Sequence, residues 1–113
     1  MDVEFEEHEV THILADEILS LILKQYSVEE LMRIVASNGR KNVYLYFKRQ
    51  NPRSVKILID HGDRFRYRCD DVICVPIPKK FALLEPDPAY FEITLKANLI
   101  LAFRGADERD LYP

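Results

Sequence analysis

The sequence predicts an α+β domain: two N-terminal helices packed on one face of an antiparallel four- to five-stranded meander sheet. Three observations lead there. Apolar residues recur at helical spacing up to Asn38-Gly39, and the period changes to two immediately afterwards. Turn chemistry at Gln50-Asn51-Pro52 and His61-Gly62-Asp63 then divides the alternating stretch into strands. At 113 residues, a single domain accounts for the chain. Within it, residues 1–39 form an acidic helical part, 40–104 a β-sheet part and 105–113 a loose tail.

The first helix is carried by Val10, Ile13, Leu14, Ile18, Leu21 and Ile22 between His8 and Tyr26. Ser27 then reads as an N-cap, and Glu30 three positions on completes a capping box. Val28, Leu31, Met32 and Val35 supply the apolar stripe of a second helix, which Asn38-Gly39 stops. After it, Val43, Leu45 and Phe47 alternate with Tyr44, Tyr46 and Lys48. Val55, Ile57 and Ile59 alternate with Lys56 and Leu58, and Phe65, Tyr67 and Cys69 with Arg64, Arg66 and Arg68.

Register follows from which residues can share a face, because directly opposed residues in an antiparallel pair point the same way. An odd loop at Gln50–Pro52 sets Leu45 against Ile57 and Val43 against Ile59. An odd loop at His61–Asp63 sets Ile59 against Phe65 and Ile57 against Tyr67. Even loops would mix apolar with charged positions. Val72–Ile77 reads as a fourth strand closed by Pro76 and Pro78. Lys79–Pro88 reads as a loop or short helical turn. Tyr90–Phe103 alternates over its whole length and is expected to be a long or bent last strand.

Hydrophobic residues make up 48% and charged residues 31%, which excludes a disordered chain. Neither of the longest apolar runs, Ile18–Leu23 and Leu99–Phe103, approaches the ~20 residues a membrane helix needs, so no membrane partner is expected. The acidic opening Met1-Asp2-Val3-Glu4 is unlike a signal peptide, and two cysteines without an export signal suit a reducing compartment. A cytoplasmic protein is therefore expected.

The net charge of −3 conceals a segregation along the chain. Residues 1–39 hold nine acids against Lys24 and Arg33, a net of −7, whereas 40–68 hold nine cations against Asp60 and Asp63, a net of +7. In the register above, Tyr44, Leu58 and Arg66 line up on the outer sheet face, with Tyr46, Lys56 and Arg68 in the next row. Lys48 and Arg64 lie at the margins. Tyrosines among cations on a pleated surface can stack bases and attract phosphates. Tyr44, Tyr46, Lys48, Lys56, Arg64, Arg66 and Arg68 are thus the candidate anion-binding residues. The expected function is a small non-enzymatic binding module for nucleic acid or an acidic protein surface, needing no cofactor. Exposed strands also carry such residues simply to cover the sheet and deter edge pairing. Pairing of the acidic helices with the basic sheet of another copy, a homo-oligomer, is a further alternative.

His8-Glu9-Val10-Thr11-His12 opens a route of a different class. Histidines at i and i+4 share a helix face and can both ligate zinc, while the intervening Glu polarises the bound water. The string, with Thr before the second His, resembles that of the thermolysin-like zincins. This implies a zinc-dependent metallopeptidase with His8 and His12 as ligands and Glu9 as the catalytic carboxylate. The resemblance covers five residues, and no signature supplies a third ligand, although Asp16, Glu17, Glu29 and Glu30 are carboxylates within reach in sequence. Cys69 and Cys74 lack zinc-ribbon or redox spacing and read as core residues. His61, flanked by Asp60 and Asp63, reads as a solvated turn residue or as the acid–base group of a nuclease.

Overall fold

A computed structural model of the chain describes residues 7–59, 71–106 and 110–112, with residues 7–13 described by their backbone alone. Its order is α1 (Glu7–Gln25), α2 (Val28–Ser37), β1 (Val43–Lys48), β2 (Asn51–Ile59), β3 (Val72–Pro76), a π-helical turn (Lys80–Leu84) and α3 (Pro88–Phe103). The α+β class holds, but among the described residues the sheet does not have four to five strands. Among the described residues it has three, in the order β2-β1-β3, and a long helix follows it. The strand expected over Phe65–Cys69 and the turn at His61–Asp63 lie outside the described residues.

Both N-terminal helices form where periodicity places them. In α1, Ala15, Ile18, Leu19 and Ile22 are buried at i, i+3, i+4 and i+7. Ser27 breaks the chain in extended geometry, and its hydroxyl accepts from the Glu30 N–H at 3.1 Å. The Glu30 carboxylate in turn accepts from the Ser27 N–H at 3.2 Å. Such a cap stabilises a helix end by about 1 kcal/mol. Leu31 and Val35 then bury the inner face of α2. The helix stops because Gly39 takes φ +57, a left-handed conformation that costs glycine little.

β1 and β2 pair antiparallel with Val43 opposite Ile59 and Leu45 opposite Ile57, the register that apolar matching requires. The connection differs from expectation. Lys48 faces Asn51 across a two-residue turn, Arg49-Gln50, and the ladder shifts register between Tyr46 and Lys48. The extra residues fall in β2, so its backbone there needs other partners. Gln25 at the end of α1 supplies them. Its amide nitrogen donates to Pro52 O at 2.9 Å, and its amide oxygen accepts from the Val55 N–H at 2.9 Å.

The segment expected as a fourth strand is β3, and it pairs with the other edge of β1, setting Leu45 opposite Val75 and Phe47 opposite Ile73. β1 is therefore the central strand of the described sheet. Val43, Leu45, Phe47, Ile73 and Val75 are buried on the core face, in one cluster with residues of all three helices. Each such side chain contributes about 1.5–3 kcal/mol by leaving water.

The long last strand expected over Tyr90–Phe103 is a helix. Asp87 caps it, its carboxylate accepting from the Ala89 N–H at 3.1 Å and the Tyr90 N–H at 3.3 Å, and Pro88 occupies the first turn. Phe91, Leu95, Asn98 and Leu99 face the core. Positions 91, 95, 99 and 103 belong to an alternating series and also to an i, i+4 helical row, so the apolar pattern fits both periods. The helices are consequently not all N-terminal.

Asn98 is wholly buried and hydrogen-bonded at both ends of its amide. It donates to Pro76 O at 3.1 Å and to Tyr112 O at 2.7 Å, and accepts from the Tyr112 N–H at 2.8 Å. The tail, expected to be loose, is thereby held at Tyr112, and its neighbour Leu111 is buried. Replacing Asn98 by Ala orphans these backbone groups and should destabilise the fold by about 1–3 kcal/mol. Chemical denaturation should show a lower midpoint with little change in slope, and an unchanged midpoint would contradict this role.

Candidate functional site

The candidate anion-binding residues that the structure describes are on β1 and β2. Tyr46 lies directly opposite Lys56, as the register requires, and Lys48 follows two positions along β1 on the same face. Tyr46 is half-buried, whereas Lys48 and Lys56 are exposed.

Tyr44 departs from expectation. Its neighbours across the ladder are Leu58 and Pro76, both Tyr44 and Pro76 are buried, and Tyr44 retains only 6% exposure. The second face of the sheet is therefore covered around this pair, and the Tyr44 ring offers no stacking surface. A two-tyrosine platform does not form. On the β3 side, the row containing Tyr46 continues into Cys74, and Lys48 faces Val72. Arg64, Arg66 and Arg68 lie outside the described residues, as do His61 and Cys69.

The hairpin end adds two cations that pattern reading passes over. Arg53 is exposed on β2, in the stretch where the ladder is irregular. Arg49, in the turn, is used internally. Its backbone N–H donates to Asp71 O at 2.7 Å, and its guanidinium donates to Phe103 O at 2.7 Å. The same guanidinium lies 5.0 Å from the centre of the Phe103 ring. A cation at the C-terminus of α3 complements the helix dipole, and the ring contact adds about 0.5–1 kcal/mol. Arg49 thus fastens the hairpin to α3. No local sequence signal marks it, because its partner is 54 positions away.

Lys48, Arg53 and Lys56 make no ion pair among the described residues, where the pair formed is Lys96 with Asp16 at 2.6 Å. Residues 40–59 contain six cations and no acid, so the exposed hairpin charges are uncompensated along their own strands. Asp71, exposed, is brought to the same end through its contact with Arg49. The arrangement can attract an anion.

The His8-Glu9-x-x-His12 string falls in α1, so its backbone is helical as the zinc reading requires. Its side chains lie outside the described residues. Among those described, no group of three or more His, Cys, Asp or Glu is placed to hold a metal ion. No helix among them is long and apolar enough to cross a membrane.

The geometry defines a small α+β domain with a cationic hairpin. No protein-family model matches the chain, and no solved structure matches it. It is 49% identical over 107 residues to an uncharacterized protein of Archaeoglobus fulgidus, a match covering 95% of this chain and 96% of the relative. The chain belongs to the same family as that archaeal protein.

The two kinds of hairpin cation should separate by stability. Arg49→Ala should cost about 1 kcal/mol through the lost helix-end and ring contacts, whereas Lys48→Ala and Lys56→Ala should stay within about 0.5 kcal/mol of wild type. Thermal unfolding of the three variants checks this. Equal losses from all three would contradict the assignment of Arg49 to anchoring.

Proposed function

We propose that the protein is a small non-enzymatic binding module that engages an anionic macromolecule through the β1–β2 hairpin. The observation carrying this reading is the group of exposed cations Lys48, Arg53 and Lys56, without ion pairs among the described residues, on a stretch free of acids. Long basic side chains on a strand pair can follow a phosphate backbone or an acidic protein surface, and a half-buried Tyr46 beside Lys56 gives the contact an amphipathic margin. Because Tyr44 is buried, affinity rests on charge more than on base stacking. Little sequence preference is therefore expected. Arg64, Arg66 and Arg68 extend the same basic block in sequence.

Binding to single-stranded and duplex oligonucleotides, and to a polyglutamate chain as the acidic-protein counterpart, should be measured across a salt series. Three phosphate contacts predict that log K falls with log salt at a slope of roughly −2 to −3. Lys48→Glu combined with Lys56→Glu should weaken binding by about tenfold or more and flatten that slope. Absence of binding at low salt, or binding indifferent to salt and to the double substitution, would overturn the reading.

A further inference from the structure

The register shift in the hairpin gives one of its cations a setting that the others lack. Between the opposed pairs Tyr46–Lys56 and Lys48–Asn51, β1 has the single residue Phe47, whereas β2 has Pro52, Arg53, Ser54 and Val55. The surplus on β2 has no ladder position and must leave the strand line.

The two ends of the Gln25 amide fall on either side of that surplus. Its nitrogen donates to Pro52 O and its oxygen accepts from the Val55 N–H, each at 2.9 Å. The nitrogen and oxygen of one amide are only about 2.3 Å apart. Pro52 O and Val55 N are therefore held close together, and Arg53-Ser54 between them arches away from Gln25. Both residues of the arch are exposed, while Val55 is buried in the core cluster and fixes one foot of it. The amide is braced in turn, because its nitrogen also donates to Leu21 O in α1 at 3.0 Å.

Neither the Arg53 guanidinium nor the Ser54 hydroxyl has a hydrogen-bond or ion-pair partner among the described residues. A guanidinium presents a planar fork of N–H donors that grips two oxygens of one anion, whereas Lys48 and Lys56 act as point charges. Arginine and serine are donors that phosphate oxygens recruit in nucleic-acid contacts, where such contacts fix orientation. A backbone pinned at both feet leaves less motion to lose when the fork engages.

We propose that the Arg53-Ser54 arch is the orienting contact of the cationic surface, taking one phosphate group of a nucleic-acid strand, and that Gln25 is the positioning residue that presents it. This rests on the hairpin being the polyanion-binding surface, within which Lys48 and Lys56 add attraction along the strand.

Fluorescence anisotropy of a short labelled oligothymidylate with the full chain, over a salt series, tests the proposal. Arg53→Lys keeps the charge and removes the fork, so it should weaken binding several-fold at an unchanged salt slope. Arg53→Ala should weaken it about tenfold and reduce the slope by about one. Gln25→Met keeps the side-chain length and every charge, and should weaken binding about three- to tenfold. Combined with Arg53→Ala, it should add nothing further, because it acts through the same contact. In wild type the Val55 amide should exchange slowly with solvent, held by Gln25 alone. Binding to polyglutamate should be indifferent to Arg53→Lys.

A wild type that binds no oligonucleotide at low salt would overturn the hairpin reading and the arch with it. Binding that responds to Lys48→Glu with Lys56→Glu but not to Arg53→Lys would overturn the arch alone. Additive losses from Gln25→Met and Arg53→Ala, or ready exchange of the Val55 amide, would overturn the role of Gln25. An equal loss toward polyglutamate would overturn the assignment to phosphate.

Discussion

The central position of β1 constrains the rest of the molecule. Both its edges are hydrogen-bonded, to β2 and to β3, and Val43, Tyr44, Leu45 and Phe47 are all buried although they alternate between faces. Around Tyr44, which keeps 6% exposure, the strand therefore offers no stacking surface. Exposed charge is displaced to the hairpin end at Lys48 and to the partner strand at Arg53 and Lys56. The same enclosure anchors the core, since α1, α2 and α3 all contribute buried side chains to the cluster that includes Leu45 and Phe47.

Two amides resolve the irregularities that this arrangement leaves. Gln25 pairs the β2 backbone where the register shift removes its ladder partners, which ties the end of α1 to the hairpin. Asn98 joins α3, the end of β3 and the C-terminal residues by three hydrogen bonds. Neither is an isolated polar group in a core, because each replaces backbone bonding that regular structure would have supplied. Both also shape surfaces. Gln25 supports the strand bearing Arg53 and Lys56, and Asn98 sets Tyr112 at the rim of a groove lined by Phe81, Ile93 and Ala97.

Much of this was legible in the residues. Apolar periodicity and the Ser27–Glu30 capping box mark α1 and α2, and pairing apolar with apolar yields the β1–β2 register. The pattern of α3 is ambiguous, because Phe91, Leu95, Leu99 and Phe103 satisfy a period of two as well as a helical row. What separates the two periods is the helix start at Asp87-Pro88, within a segment that reads as a loop or short turn. Alternation places Tyr44 on the face opposite Leu45. Alternation assigns faces, however, and does not report whether the second face is covered. Arg49 could not be found locally, since its guanidinium is matched to Phe103 by tertiary packing alone. Of the candidate site, Lys48, Lys56 and their relation to Tyr46 were legible, and Arg53 was present only as part of a charge count.

The hairpin cations are the surface proposed to meet an anionic partner. Amide chemical-shift mapping of the full chain, titrated with a short oligonucleotide at low salt, tests it most directly. Perturbations should concentrate between Tyr46 and Lys56 and fade as salt is raised. Shifts confined to α3 and the π-helical turn, or no shifts at all, would contradict it.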